Sequence, residues 1–127
     1  MNLIETYYQY FNSANWEGML SLLDEQVVHE VSQGAVQRGK AAFRDFLKHM
    51  ERCYRERVSQ LCVFFHEDRA AAEFWLEGEY LNTDSGLPEA RGQKYQLRVG
   101  SFFEIKESLI TRVSVHYNLQ DWLAQVR

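Results

Sequence analysis

The second half of the chain, from about residue 55 to residue 118, alternates apolar and polar side chains with the period of two that is typical of β-strands. The two faces of the clearest run are Ala72, Phe74, Leu76 and Tyr80 on one side and Glu73, Trp75, Glu77 and Glu79 on the other. Short polar turns, and no helical segment, separate this run from its neighbours. The pattern predicts a meander of long antiparallel strands, because parallel strands need a longer crossover between them.

The first third of the chain has the three-to-four-residue spacing of amphipathic helices. The segments with this spacing are Ile4 to Phe11, Trp16 to Leu23 and Phe43 to Met50. A short strand is predicted at residues 27–32 and a short terminal helix at residues 121–126. Helices followed by a meander indicate an α+β fold, which we expect to form one domain over residues 1–127. A long meander covered by three helices must curl, and the curl leaves a concave pocket.

Composition excludes several classes of function. The chain has a formal net charge of −4 and contains no block of Lys and Arg, so a nucleic-acid surface is not expected. Its two cysteines, Cys53 and Cys62, form no C-x-x-C pair and are too few for a disulfide framework. The sequence has neither a signal-like start nor an apolar run long enough to cross a membrane. We therefore expect a cytoplasmic protein with no membrane partner.

Several local motifs resemble the nuclear transport factor 2-like superfamily. The segments YYQYFN at residues 7–12 and NWEG at residues 15–18 are similar to the first helix pair of ketosteroid isomerases and SnoaL-like polyketide cyclases. VHE at residues 28–30, followed by GKAAF at residues 39–43, resembles their short strand, turn and third helix. Further similarity to a ketosteroid isomerase-related subgroup lies at residues 86–95, 102–105 and 117–122. The resemblance implies a cone of three N-terminal helices on a strongly curved antiparallel sheet, with a short C-terminal helix.

The same resemblance implies three catalytic residues. Glu30 matches the general base of ketosteroid isomerases, a carboxylate whose pKa is raised by an apolar pocket and which removes a proton next to a carbonyl. Tyr7 matches the phenol that donates a hydrogen bond to the developing oxyanion. Ser101 replaces their second oxyanion donor, a protonated carboxylic acid. Because a Ser hydroxyl is a weaker acid, this replacement argues against steroid-type isomerisation.

Inward-facing residues are expected to line the pocket and to contact a ligand. These residues are Val28, Phe43, Leu47, Phe74, Leu76, Val99, Phe103, Val115 and Tyr117. Strand alternation places His29 on the face opposite Glu30, away from the pocket. No histidine pair has metal-site spacing and no Gly-rich phosphate loop is present, so neither a metal nor a cofactor is expected. The loop from Asn82 to Gln93 fits a lid over the pocket, a contact with a neighbouring subunit or a plain solvated connection.

Outward-facing aromatic residues beside Arg predict an interface on the sheet. Trp75 lies on the outer face of its strand, and Phe102 shares the outer face of the adjacent strand with Arg98. Many members of the resembled superfamily dimerise through this face. We therefore expect a homodimer.

The sequence leaves three functions open. The first is isomerase-, dehydratase- or cyclase-like acid–base chemistry on a hydrophobic carbonyl or enol compound. The second is a non-catalytic pocket that holds a small hydrophobic molecule. The third is an interaction domain whose outer sheet face is functional and whose interior is filled. The presence of a cavity, and the positions of Glu30 and Tyr7 relative to it, separate these possibilities.

Overall fold

The computed structural model describes all 127 residues of the chain. Its four helices are α1 Leu3–Asn12, α2 Trp16–Ser21, α3 Lys40–Cys53 and α4 Leu119–Val126. Its six strands are β1 Leu23–Glu30, β2 Val36–Arg38, β3 Tyr54–His66, β4 Arg69–Tyr80, β5 Gln93–Lys106 and β6 Leu109–His116. None of the helices is both long enough and apolar enough to cross a membrane.

Asparagine side chains begin three of the helices. The side chain of Asn2 accepts a hydrogen bond from the backbone N–H of Glu5, and the Glu5 carboxylate accepts one from the backbone N–H of Asn2. This reciprocal capping box satisfies N–H groups that have no partner within the helix. Asn15 and Asn118 accept similar bonds at the starts of α2 and α4, at 2.9 and 3.0 Å.

The strands form one sheet in the order β2-β1-β6-β5-β4-β3. Strands β3 to β6 are the predicted antiparallel meander, and β1 joins the sheet beside β6. The β1–β6 pair is parallel, which adds one feature to the expected antiparallel sheet. The predicted α+β fold, with three N-terminal helices on a curved sheet and a short C-terminal helix, is confirmed.

The first strand begins at Leu23, whereas the apolar spacing predicts a helix that reaches this residue. Helix α2 ends at Ser21, and the backbone N–H of Ile110 donates to the carbonyl of Leu22 at 2.9 Å. Leu23 itself is aligned with Ile110 of β6. Pairing with the sheet therefore overrides the local helical pattern at the end of α2, as tertiary contacts often override propensity.

A β-bulge at Gln60 changes which residues of β3 face the interior. Gln60 has a φ of 53°, and the pairing with β4 shifts between Ser59 and Cys62. Unbroken alternation predicts Val58 and Cys62 on the same face, but Val58 is buried and Cys62 is exposed. The bulge inserts one extra residue into the strand, and this reverses the faces of the residues that follow it.

Candidate functional site

A cavity of about 780 Å³ lies between the inner face of the sheet and helices α1, α2 and α3. Of the 30 residues that line it, 22 are hydrophobic. Its size and apolar wall are those of a small-molecule site. Most of the residues predicted to face the pocket line it: Phe43, Leu47, Phe74, Leu76, Val99, Val115 and Tyr117.

Two predicted lining residues do not contribute to the cavity wall. Val28 lies on the opposite face of β1, because its neighbours Val27 and His29 are both buried. Phe103 faces inward but is covered by Tyr7, whose ring meets it edge to face with 5.6 Å between centroids. Phe103 is 1 % exposed and belongs to the core beneath the cavity.

Glu30 does not face the cavity, and the expectation that it does is wrong. Its carboxylate pairs with the guanidinium of Arg112 on the outer side of the sheet. The same guanidinium lies 3.8 Å from the carboxylate of Glu104. Because successive strand residues point to opposite faces, Glu30 and its neighbour His29 exchange the positions predicted for them.

Of the two predicted oxyanion donors, only Tyr7 lines the cavity. Ser101 is fully buried and accepts a hydrogen bond of 2.7 Å from the hydroxyl of Tyr8, the residue that stands between Ser101 and the cavity. Burial raises the pKa of both Tyr7 and Tyr8, so both phenols keep their protons and act as hydrogen-bond donors. The structure therefore brings Tyr7 and Tyr8 to the wall and leaves Ser101 behind it.

The cavity wall also contains a carboxyl group that was not among the predicted site residues. Glu56 of β3 lines the cavity and accepts a hydrogen bond from the hydroxyl of Tyr95, with 2.5 Å between the oxygens. Burial raises the pKa of Glu56 to about 6, and the bond from Tyr95 opposes this rise only in part. Such a carboxylate is mostly ionised at neutral pH and is still basic enough to take up a proton.

Gly78 makes the contact between Tyr95 and Glu56 possible. It lies between them in the sheet, aligned with Glu56 on one side and with Tyr95 on the other. A Cβ atom at residue 78 would overlap the Tyr95 ring. The absence of a side chain therefore lets this ring cross β4 and reach a carboxylate two strands away.

The signal for Glu56 is present in the sequence. Glu56 precedes Val58 by two residues, so alternation places it on the inward face of the strand. A carboxylate in phase with the apolar side of a strand has a perturbed pKa, and such groups are concentrated at functional sites. The assignment of Glu30, in contrast, depends on the resemblance and not on the pattern of its own strand.

A hydrogen-bonded cluster of His49, Tyr54 and Asp84 forms another part of the wall. The Asp84 carboxylate is bonded to Nε2 of His49 at 2.9 Å and accepts from the hydroxyl of Tyr54 at 2.7 Å. Arg52, which can only donate, lies 3.0 Å from Nδ1 of His49. The proton of the neutral ring is therefore on Nε2, which donates a hydrogen bond to the carboxylate of Asp84.

Cys53 adds a third potential metal ligand, and the ligand atoms of Cys53, His49 and Asp84 all lie within 4.8 Å of one another. A metal would need the lone pair on Nε2 of His49, but the contact with Arg52 keeps a proton on that atom. Burial also raises the pKa of the Cys53 thiol, which favours the neutral form that does not bind metals. These groups satisfy one another and do not fit a resident metal ion.

The loop at residues 82–93 forms one edge of the cavity. Asp84 and Leu87 line the wall. The hydroxyl of Tyr80 accepts from the backbone N–H of Asp84 at 2.9 Å and donates to the carbonyl of Pro88 at 2.7 Å. These bonds hold the loop against β4, beside the cavity.

His29 occupies the inward position that was predicted for Glu30. It is 3 % exposed and lines the cavity. Its ring packs against Phe43 and Phe46, which are themselves in contact, at centroid distances of 4.5 and 4.6 Å. Burial lowers the pKa of His29 to about 4, so the imidazole is neutral at physiological pH.

The chain matches the family model of the SnoaL-like domain over residues 4–113. Two solved structures with high similarity are each described as a "putative polyketide cyclase". The protein from Pseudomonas putida KT2440 is 45% identical, with a TM-score of 0.97, and the match covers 100% of this chain and 99% of that chain. The protein from Silicibacter sp. TM1040 is 46% identical, with a TM-score of 0.96 and coverage of 98% and 93%.

The fold also occurs in more distant proteins. A nuclear transport factor 2-like protein of unknown function from Burkholderia pseudomallei K96243 is only 12% identical but has a TM-score of 0.84, covering 98% of this chain and 94% of that chain. No curated protein matches the chain. Since the family model covers most of the sequence and the two similar structures cover nearly all of it, the chain belongs to the SnoaL-like domain family.

Proposed function

We propose that this protein binds an apolar carbonyl compound in the cavity and moves a proton at the carbon next to the carbonyl, with Glu56 as the base. The observation that carries the proposal is a carboxylate with a pKa of about 6 in the wall of an apolar cavity. A general base works best when its pKa lies near the working pH, because it is then both deprotonated and basic. Cyclase- and isomerase-like reactions both begin with this step.

Tyr7 is the group we assign to the carbonyl oxygen. The base takes the proton from carbon, the electron pair of the C–H bond moves toward the carbonyl, and negative charge develops on the oxygen. The Tyr7 phenol lines the cavity and keeps its proton because burial raises its pKa. A neutral donor in an apolar wall stabilises such an oxyanion without a charge of its own. The resulting enolate has two outcomes. Where a C=C bond is conjugated with it, the far carbon of that bond takes the proton back from Glu56, which is isomerisation. Where a second carbonyl is within reach, the enolate carbon attacks it and the new alkoxide oxygen takes the proton from Glu56, which is ring closure.

Similarity to proteins described as polyketide cyclases supports this choice of substrate class. A polyketide carries alternating carbonyl groups, and the carbon between two of them is readily deprotonated. The mostly apolar wall supports a substrate with hydrophobic rings or chains.

Solvent deuterium exchange tests the proposal without knowledge of the natural substrate. The probe is 2-tetralone, an apolar bicyclic ketone with exchangeable protons next to its carbonyl. We expect the protein to accelerate incorporation of deuterium from heavy water, followed by mass spectrometry. Replacement of Glu56 by Gln should reduce the accelerated rate about 100-fold, as loss of a general base does. Binding of the ketone should persist, and quenching of Trp16 and Trp122 in the wall would report it.

Two matched variants complete the experiment. Glu77→Gln makes the same chemical change at an exposed carboxylate on β4 and should leave the exchange rate unchanged. Glu30→Gln decides between the two carboxylates, because loss of exchange in this variant alone would favour the residue outside the cavity. Equal rates for the wild type and Glu56→Gln, with the ketone bound, would refute the role of Glu56.

A second candidate function is non-catalytic binding of a hydrophobic molecule. It is favoured by the hydrogen bonding of the carboxylates in the wall. Glu56 and Asp84 each already accept a hydrogen bond from a tyrosine hydroxyl. In that case the carboxylates are structural, and the cavity alone is functional. The two candidates differ in the exchange experiment: binding of 2-tetralone with no acceleration over buffer supports the binding function.

We also propose that the protein is a homodimer through the outer face of the sheet. Phe64 and Phe102 are 58% and 48% exposed, and both are aligned with Ala71, which lies between them in the sheet. The guanidinium of Arg98 lies 4.8 Å above the ring of Trp75 on the same face. Exposed aromatic groups flanked by a stacked Arg are typical of protein interfaces.

A further inference from the structure

His29 and Gln37 hold the two buried side-chain polar atoms that have no hydrogen-bond partner, Nδ1 of the ring and Oε1 of the amide. An orphaned buried polar group is costly, because it loses its bonds to water and gains none in exchange. The two residues are direct partners across the β1–β2 ladder. Both orphans therefore occur side by side in one cross-strand pair.

The chemistry of the two atoms decides how they satisfy each other. An amide oxygen can only accept a hydrogen bond, whereas a ring nitrogen of neutral histidine donates if it carries the proton. A proton on Nδ1 of His29, directed to Oε1 of Gln37, removes both deficits through a small side-chain movement. Gln37 also opposes the fall in the pKa of His29 that burial causes, as an acceptor close to the ring does.

This tautomer leaves the lone pair of the ring on Nε2. Nε2 has no hydrogen-bond partner in the chain, and it is not among the buried unpaired atoms, so it faces the cavity that His29 lines. Phe43 and Phe46 contact the ring from two adjacent directions, with centroid distances of 4.5 and 4.6 Å, and this packing restricts its rotation. A fixed, neutral acceptor is thus directed into an apolar space.

We propose that Nε2 of His29 accepts a hydrogen bond from a hydroxyl group of the ligand, with Gln37 as the residue that sets the tautomer. The ligand is then a hydrophobic compound that carries an alcohol, phenol or enol hydroxyl. This inference rests on the proposed function only in that the cavity binds a small molecule, and it assigns His29 to recognition and not to proton transfer. A neutral ring of low basicity suits an acceptor better than a base.

A pair of probes with the same naphthalene ring system, one with a hydroxyl and one with a methyl ether, tests the recognition. 2-Naphthol has a hydroxyl donor, and 2-methoxynaphthalene has none. We expect the wild type to bind 2-naphthol about tenfold more tightly by titration calorimetry, as one hydrogen bond between neutral groups provides. In His29→Phe, which keeps an aromatic ring packed against Phe43 and Phe46, the preference should disappear while 2-methoxynaphthalene binds as before.

Nitrogen NMR of histidine-labelled protein tests the role of Gln37 separately. The free wild type should show a protonated Nδ1 and an unprotonated Nε2 at His29. Gln37→Leu removes the acceptor and should shift the ring toward the other tautomer, with a smaller preference for 2-naphthol. A merely structural role of Gln37 would not change this signature.

Three results would overturn the inference: a proton on Nε2 of His29 in the free protein, no binding of 2-naphthol, or a hydroxyl preference that survives in His29→Phe. These measurements need no turnover. Absence of deuterium exchange would therefore overturn the role of Glu56 alone, and loss of the hydroxyl preference would overturn the role of His29 alone.

Discussion

Replacement of Glu56 by Gln should change how the stability of this protein depends on pH. Burial raises the pKa of the Glu56 carboxyl from 4.5 to about 6 in the folded state. At about 1.36 kcal/mol for each pKa unit, the shift corresponds to about 2 kcal/mol. Solvent screening at a side chain that is only partly buried makes this an upper value.

The sign follows from proton uptake. Because the folded pKa lies above the unfolded one, the folded state binds more protons between pH 4.5 and about 6. The stability that this group contributes is fully present below the unfolded pKa and is lost as pH rises through the folded pKa. Gln cannot ionise, and it still offers an oxygen to the hydroxyl of Tyr95. The stability of the Glu56→Gln variant should therefore not show this decrease as pH rises.

The measurement is the free energy of unfolding from urea titrations at intervals between pH 4 and pH 8. The free energy of unfolding of the wild type minus that of Glu56→Gln should fall by up to about 2 kcal/mol as pH rises from 4.5 to 7. Above pH 7 this difference should level off. Other groups titrate in both proteins and cancel in the difference. The exposed carboxylate of Glu77 supplies the control, since Glu77→Gln should run parallel to the wild type. A constant difference between the wild type and Glu56→Gln would refute burial of this carboxylate.

Two further perturbations test the neighbouring geometry and the outer face. Gly78→Ala should destabilise the protein by about 1–3 kcal/mol, because the new Cβ overlaps the ring of Tyr95. Thermal or urea unfolding measures this loss. Unchanged stability would contradict the contact of Tyr95 with Glu56 across β4. Light scattering should show the wild type as a dimer at micromolar concentration. A double variant with Phe64→Glu and Phe102→Glu should be a monomer, since both rings are about half exposed on the proposed interface. A monomeric wild type would overturn the dimer.

The fold could be predicted because two periodicities and a few capping residues carry it. The period of two from residue 55 onward and the helical spacing before it define the layers, and Asn15 marks a helix start that the structure keeps. The bulge at Gln60 could not be predicted. A positive φ usually selects Gly or Asn, and a Gln gives no such signal. Its position is set by the pairing of a long strand with its curved neighbour.

Which of the alternate residues of β1 face the interior could not be predicted from the sequence either. Val27, Val28 and Val31 are apolar on both sides of the alternation, so the pattern fits either face. A shift of one residue moves every side chain of a strand to the other face. The resemblance favoured an inward Glu30, whereas the burial of Val27 and His29, and the contact of His29 with Phe43 of α3, decide the opposite.

The observed orientation of β1, with His29 inward and Glu30 outward, is also the one with the lower cost in free energy. An inward Glu30 would place a carboxylate against the rings of Phe43 and Phe46, and the penalty for burying a charge without an ionic partner is large. Outside, it pairs with Arg112. The cavity admits a carboxylate at Glu56 because a tyrosine hydroxyl reaches it there across a glycine. An inward acid is therefore best sought in such sequences where alternation, a facing phenol and an intervening glycine coincide, and not at the position that a relative uses.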